Sequence, residues 1–297
     1  MTISAVLPLT IRGSYDVDDL HRADILFQSL TTFAAPGTFS SFLIVTPPDE
    51  TTAVERHYAR WSELPIRVIS EEVLVPELAA HRHVRGWRKQ QMVKLAAARQ
   101  IEEDFFLTLD ADVIALRPFS VADLIIDERA LIQYELRSQH PKWWRSSARL
   151  LDMDPDVGDA EIGMTVTPAL LSRDLCLRVA EALAPDGKGT WVDRLCRLHN
   201  PRAPSNWTLG RFLRSKWTEY SLYYLCAMKY GLLDRYHVRA GTAEIPQRLL
   251  VHDAHPFEEW MPAETFAADS PGLFCVVGSK SRIDVAVVWE KVKPFIR

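Results

Sequence analysis

Residues 105–114, Phe-Phe-Leu-Thr-Leu-Asp-Ala-Asp-Val-Ile, restrict the folds open to this chain more than any other stretch. Five residues, all but Thr108 strongly apolar, run straight into two carboxylates one residue apart, Asp110 and Asp112, and then apolar sequence resumes. A short apolar run of β-compatible residues suits a strand buried on both faces. Asp110 and Asp112 then fall at its carboxyl end, the edge where open α/β sheets hold their ligands. Two carboxylates so placed repel each other unless a cation lies between them. A hard divalent ion shared with substrate phosphates meets that need. The competing structural explanation is an aspartate that caps a turn and faces solvent, a common use of short Asp motifs.

The surrounding sequence supplies the rest of such a sheet. Strands are expected over residues 3–9, 42–46 and 66–70, and again over 130–136. Helices are expected over 20–32, from Thr51 or Thr52 to about residue 61, from about 87 to 101, and over 140–151. Thr167-Pro168 is expected to open a helix over 169–183, after a strand around 161–165. Strands alternating with helices at short intervals predict a doubly wound, largely parallel α/β sheet with flanking helices. With no internal repeat or low-complexity linker, the 297 residues read as one domain.

Charge and cysteine usage exclude several functions. A net charge of −4 speaks against general nucleic-acid binding, which needs a large basic surface. Cys176, Cys196, Cys226 and Cys275 are widely spaced without a Cys-x-x-Cys pair, as expected of reduced core thiols. The opening MTISAVLPLT places no basic segment before its apolar run, and no stretch reaches the ~20 apolar residues of a membrane span. A cytoplasmic location is expected, with peripheral contact at the inner membrane left open.

The helix ahead of the carboxylates carries unusual polar residues. Trp87, Gln91 and Lys94 share one face at i, i+4 and i+7, while Met92, Leu95 and Ala96 form the apolar stripe. Amides and cations beside a strand ending in two acids suit a sugar and its phosphates. Arg88 and Lys89 read better as a solvated face. Gly-Trp-Arg-Lys-Gln-Gln-x-x-Lys-Leu leading into Leu-Thr-Leu-Asp-Ala-Asp-Val, then Arg117-Pro118-Phe119, resembles the nucleotide-sugar glycosyltransferases of the GT-A fold, nearest to a little-characterised bacterial branch.

That resemblance implies a Rossmann-like GT-A domain over residues 1–297, with residues 1–120 as the nucleotide-sugar-binding half and 121–297 as the acceptor-binding half and C-terminal segment. It implies that Asp110 and Asp112 hold Mn²⁺ or Mg²⁺, with Asp112 the direct ligand, and that the ion binds the diphosphate of a nucleoside diphosphate sugar. The implied acceptor is a hydroxyl on a glycan or lipid-linked sugar. Gln91 and Lys94 are candidate substrate contacts, as is Gly163 in a glycine-containing segment near donor and acceptor. Lys280, in Gly278-Ser279-Lys280, could meet the diphosphate. At the end of an apolar run, His252 is preferred to His255 as a further metal ligand.

Other stretches carry weaker signals. Thr218 can cap a helix with Glu219 in its first turn, a complete structural explanation. The same place resembles the position of the acidic base in inverting GT-A enzymes, so Glu219 is the catalytic candidate. Lys142-Trp143-Trp144-Arg145 suits a membrane interface, an acceptor-sugar platform or a half-buried pair under a loop. Residues 188–216 carry seven Lys or Arg against the single acid Asp193, fitting an anionic acceptor, a membrane surface or a solvated face. Asp152-x-Asp154-x-Asp156 is not a calcium loop, because Gly163 stands where a bidentate Glu is required. Two rival functions remain: a haloacid-dehalogenase-like phosphohydrolase with Asp110 as nucleophile, and a non-catalytic sugar-nucleotide-binding protein. Three expected strands precede Asp110, which counts against the first rival.

Overall fold

Strands that are apolar on both sides need cover on both sides, and that requirement organises the molecule. The computed structural model describes residues 1–13, 16–164, 167–184, 189–200, 216–254 and 256–296, apart from the side chains of residues 252, 253 and 279. β1 (Ile3–Pro8) is buried at every position. It pairs in parallel with β2 (Phe39–Thr46) on one side and with β4 (Phe105–Thr108) on the other. β3 (Ile66–Ser70) extends the parallel sheet beyond β2. β10 (Ala169–Ser172) closes the other edge, antiparallel to β4, giving the order β10-β4-β1-β2-β3. This is the doubly wound, mostly parallel α/β sheet expected from the strand–helix alternation.

Alternating side chains feed two cores. Val6 and Phe106 point into one, with Met92, Val93, Leu95 and Ala96 of α3 (Gly86–Ala96) and the apolar face of α5 (Arg173–Leu183). Ala5, Leu7 and Leu107 point into the other, with Ala23, Leu26, Phe27 and Leu30 of α1 (Asp19–Phe33) and Val54 and Tyr58 of α2 (Thr51–Tyr58). A third cluster packs the C-terminal helix α8 (Val285–Val292) against Ile25 of α1 and Ile114.

Smaller sheets flank this centre. β5 (Val113–Ala115) pairs with β13 (Gly272–Val276), itself parallel to β12 (Arg248–Asp253). β7 (Arg129–Ile132) lies between β6 (Ile125–Ile126) and β11 (His237–Arg239), and β8 (Glu135–Leu136) pairs with β9 (Ile162–Gly163). α4 (Pro141–Leu150), α6 (Trp191–Leu198) and α7 (Glu219–Lys229) complete the helical layer. Among the described residues, no helix is long and apolar enough to cross a membrane.

Several boundaries differ from expectation. Residues 169–172 form β10, and α5 begins at Arg173 behind the Ser172 cap. The Ala-Leu-Leu-Ser run completes the sheet edge beside β4, and this tertiary demand overrides its helix propensity. Thr51 is the first residue of α2, not its cap; Glu50 occupies the cap position without a side-chain cap bond. Its carboxylate instead accepts from the Ile11 N–H at 2.7 Å. α3 ends at Ala96 and tightens into a 3₁₀ turn, Ala97–Arg99. The strand expected over 130–136 divides into β7 and β8, in different sheets.

Candidate functional site

The sheet order reverses direction at β1 and β4, because β2 and β3 continue from one side of β1 and β4 from the other. Open α/β sheets hold their ligands at the carboxyl edge of such a reversal point. Asp110 follows the end of β4 by two residues, and the Leu109 N–H still donates to the Val6 carbonyl at 2.9 Å. Asp112 lies one residue before β5, and its carbonyl accepts from the Val277 N–H at 3.0 Å. Both carboxylates are therefore anchored through backbone to neighbouring strands.

α3 aims its polar face at this edge. The Lys94 side chain is only 2% exposed, and its Nζ lies 2.8 Å from Asp110 Oδ1 and 3.2 Å from Glu219 Oε1. It also donates to the Tyr220 hydroxyl at 3.4 Å, and that hydroxyl bonds Thr108 Oγ1 and Thr167 Oγ1, both at 2.9 Å. One turn earlier on α3, Gln91 Oε1 accepts from the Glu219 N–H at 3.1 Å. Thr218 and Ser221 cap α7 reciprocally, which fixes Glu219 in the first turn. Thus Gln91, Lys94, Asp110 and Glu219, singled out from three separate stretches, meet in one cluster.

The electrostatics follow from burial. Burial works against the Lys94 charge, but Asp110, Tyr220 and Glu219 outweigh it and hold the ammonium's pKa well above the ordinary lysine value. Burial raises the Glu219 carboxyl, against the opposing pull of Lys94. We assign the charge on Lys94 chiefly to Asp110, whose side chain is 39% exposed and hydrated, whereas that of Glu219 is 2% exposed. Glu219 is held in the cluster by its contact with Lys94 and by its N–H bond to Gln91.

The sequence reading missed Asp19. This first residue of α1 is buried, and its Oδ1 has no hydrogen-bond partner among the described residues. Burial, then the charge of Asp112, raise its pKa to about 7; Arg22 opposes this and Asp110 adds to it. Gly13 makes room for it, since a Cβ there would lie 1.5 Å from Asp19 Oδ2. A glycine in the loop after the first strand was the available signal. Arg22, also buried, donates to the carbonyls of Val277 (3.4 Å) and Ile283 (3.2 Å). Arg22, Asp112 and Val277 also line a cavity of about 10 Å³, room for roughly one water.

Asp110 and Asp112 are the residues that would hold a divalent cation at this edge, shared with substrate phosphates. Asp19, Asp110, Asp112 and Glu219 are the carboxyl groups around this edge, where Lys94 pairs with Asp110 and Glu219; among the described residues no three of them bring ligand atoms within 4.8 Å of one another. Arg22 only partly offsets the burial of Asp19, and a bound ion would lower its raised pKa further.

Other candidates fall around this cluster. The backbone of residue 252 pairs with Cys275 in the sheet that contains β5, two strands from Ile114; its side chain lies outside the described residues, as does all of His255. Lys280 sits exposed in a 3₁₀ turn, Ser279–Ser281, and its charge reaches His140. His140 stacks on Trp143 at 3.7 Å between ring centroids, and Trp143 lies 6.4 Å from Trp87. Trp144 is buried beneath the Arg137 guanidinium. A Cβ on Gly163 would come within 2.2 Å of the Trp144 ring, so close approach of that ring accounts for the glycine. Arg88 and Lys89 do not form a solvated face. Arg88 donates to the Trp217 carbonyl at 3.1 Å, and Lys89 pairs with Glu71. Of the basic run at 188–216, residues 188 and 201–215 lie outside the described residues. A cavity of about 1070 Å³ opens on the outer side of α1, not over Asp110 and Lys94.

Among solved structures, the chain resembles mouse xyloside xylosyltransferase 1 in its apo form, with a TM-score of 0.53 at 10% identity, covering 95% of this chain and 100% of that one. The bifunctional glycosyltransferase WbbM, also apo, aligns with a TM-score of 0.44 at 10% identity over 93% of this chain and 46% of its own length. S. aureus TarS aligns with a TM-score of 0.29 at 18% identity over 45% of this chain and 21% of its own length. The first likeness, together with the sheet order, gives the chain a GT-A-type glycosyltransferase fold. No curated protein matches the sequence. The model of the family of unknown function DUF6492 matches residues 1–297, and the chain belongs to that family.

Proposed function

We propose that the protein is a metal-dependent glycosyltransferase that moves a sugar from a nucleoside diphosphate donor to a hydroxyl on a glycan or lipid-linked acceptor. The observation that carries this reading is the joining of Lys94 to both Asp110 and Glu219 at the carboxyl edge where the order reverses between β1 and β4. A buried ammonium between two carboxylates fixes Asp110 in one orientation, so the acid does not have to be ordered when substrate arrives. Asp112 is the direct ligand in this scheme, with Asp110 beside it and His252 as a candidate third. Mn²⁺ or Mg²⁺ held there supplies positive charge where the leaving diphosphate accumulates negative charge.

Residues 1–120 then carry the donor and residues 121–297 the acceptor. Trp87 stands two turns, about 10 Å along the helix, before Lys94. With Trp143 and His140 it offers ring faces on which a sugar can stack. Lys280, whose charge reaches His140, would meet a phosphate there. Glu219 is retained as the acidic residue of the site. Its burial and its contact with Lys94 favour a role in holding Lys94 and Asp110 over direct proton abstraction. A surface-glycan product and work at the inner face of a membrane are consistent with such an acceptor.

The test is a thermal-shift screen of nucleoside diphosphate sugars with and without Mn²⁺, repeated on Asp112→Ala. A ligand that binds only the folded state raises the melting temperature with its occupancy. At least one donor should stabilise the wild type only with Mn²⁺, and Asp112→Ala should remove that shift and sugar transfer together. Unchanged nucleotide affinity in a folded Asp112→Ala variant would defeat the proposal.

A further inference from the structure

The side of α1 that faces away from the sheet carries a second set of ligand-type side chains. Asp19, Ala23, Leu26 and Leu30 turn inward, so His21, Asp24 and Gln28, half a turn away, line the 1070 Å³ cavity. His57, from α2, meets them: its Nε2 lies 2.9 and 3.1 Å from the two Asp24 oxygens, and its ring sits edge-on to His21 at 5.2 Å. One ligand atom from each of His21, Asp24 and His57 falls within 4.8 Å of the others.

Two further contacts resemble the surroundings of a metal centre. Asp18 Oδ2 lies 2.8 Å from His21 Nδ1, and a carboxylate on one ring nitrogen is the usual device for fixing a ligating imidazole. Arg60 Nη2 lies 2.6 Å from Asp24 Oδ1, on a side chain 54% exposed. Arg60 supplies the positive charge that a bound ion would otherwise bring, and its exposed guanidinium can swing away.

We infer that His21, Asp24 and His57 form a binding site for a divalent transition-metal ion of the zinc class, with Asp18 orienting His21 and Arg60 as the displaceable counter-charge. Two imidazoles and one carboxylate are the donor set such ions prefer, and the open cavity leaves a coordination position for water. The site differs in kind from the oxygen-only edge at Asp110 and Asp112, which suits harder ions. It would join α1 to α2 across the outer surface, and so stiffen the turn from which Asp19 enters the inner cluster. The inference is independent of the glycosyl-transfer reading.

The test uses the full-length protein, stripped of metal and titrated with Co²⁺, read by visible absorption and by competition with Zn²⁺. Wild type should bind one Zn²⁺-displaceable Co²⁺ at this site with an intense d–d band, and Zn²⁺ should raise the melting temperature. His57→Gln and Asp24→Asn, which keep size and polarity, should abolish the band, while Asp18→Asn should weaken affinity by about tenfold. Arg60→Ala should tighten binding by removing the competitor, and Asp112→Ala should leave the band intact. A band that persists in folded His57→Gln, or weak and unsaturable uptake indifferent to all these changes, would overturn the assignment.

Discussion

Lys94 is the residue on which the inner cluster turns. Its side chain is buried and its ammonium ends between Asp110 and Glu219, shielded from water. Replacing one partner of a buried ion pair leaves the other charge uncompensated, at a cost of roughly 3–5 kcal/mol. Lys94→Met preserves the stem volume and should lower unfolding stability by about that range, discounted because Asp110 is partly hydrated and Glu219 can take up a proton. Urea denaturation at pH 7 measures it, and a loss below about 1 kcal/mol would show that the pair contributes little. Sequence spacing placed Lys94 and Gln91 on one face of a helix. That this face meets Glu219 was not legible, because the contact joins residues more than a hundred positions apart. Asp19 was invisible for a different reason: nothing local separates a capping-turn aspartate from one held against Asp112 without a partner.

At the scale of elements, α7 shows how local chemistry serves the cluster. Thr218 accepts from the Ser221 N–H at 3.1 Å, and Ser221 Oγ accepts from the Thr218 N–H at 3.2 Å, so the first turn is fixed by bonds within four residues. Thr218→Ala should cost about 1 kcal/mol of stability. Because Glu219 begins the same turn, the variant should also loosen Lys94, and hydrogen exchange at the Glu219 amide, bonded to Gln91, should quicken relative to wild type. Exchange unchanged at that amide would separate the cap from the cluster. The start of α7 was readable from Thr-Glu-Tyr-Ser, whereas β10 was not readable from Ala-Leu-Leu-Ser. A cap is a local hydrogen bond, but an antiparallel edge strand exists only because β4 offers it a partner.

For the whole molecule, buried titratable groups set the pH response. Burial lowers the His237 imidazole to about 4, while Tyr223 Oη at 2.7 Å and the Ala130 carbonyl at 3.2 Å satisfy its nitrogens. The unfolded chain protonates this histidine near its ordinary 6.5, so unfolding takes up a proton between pH 6.5 and about 4, and stability falls as pH falls through that window. The full contribution is on the order of 3 kcal/mol. Asp19 has the opposite sign. Its folded carboxyl protonates near 7 against an ordinary 3.8, so acidification across that interval favours the folded state. Urea midpoints measured without added metal from pH 7.5 to 5 should therefore decline more steeply in Asp19→Asn than in wild type. Parallel declines would show that Asp19 is not uncompensated in the fold.

The sequence by itself determined the class of the fold and placed Asp110 and Asp112 at the carboxyl edge of its sheet. Periodicity, caps and the apolar run before Asp110 are local properties, and they survive in any arrangement of the chain that buries its strands. Only the tertiary structure decided which acids become partners: that Lys94 reaches both Asp110 and Glu219, that Asp19 lies near Asp112, and that His57 reaches Asp24. Those pairings depend on distances between residues far apart in the chain. Coulomb and desolvation energies respond to such distances, and to the exclusion of water, with no regard for sequence separation.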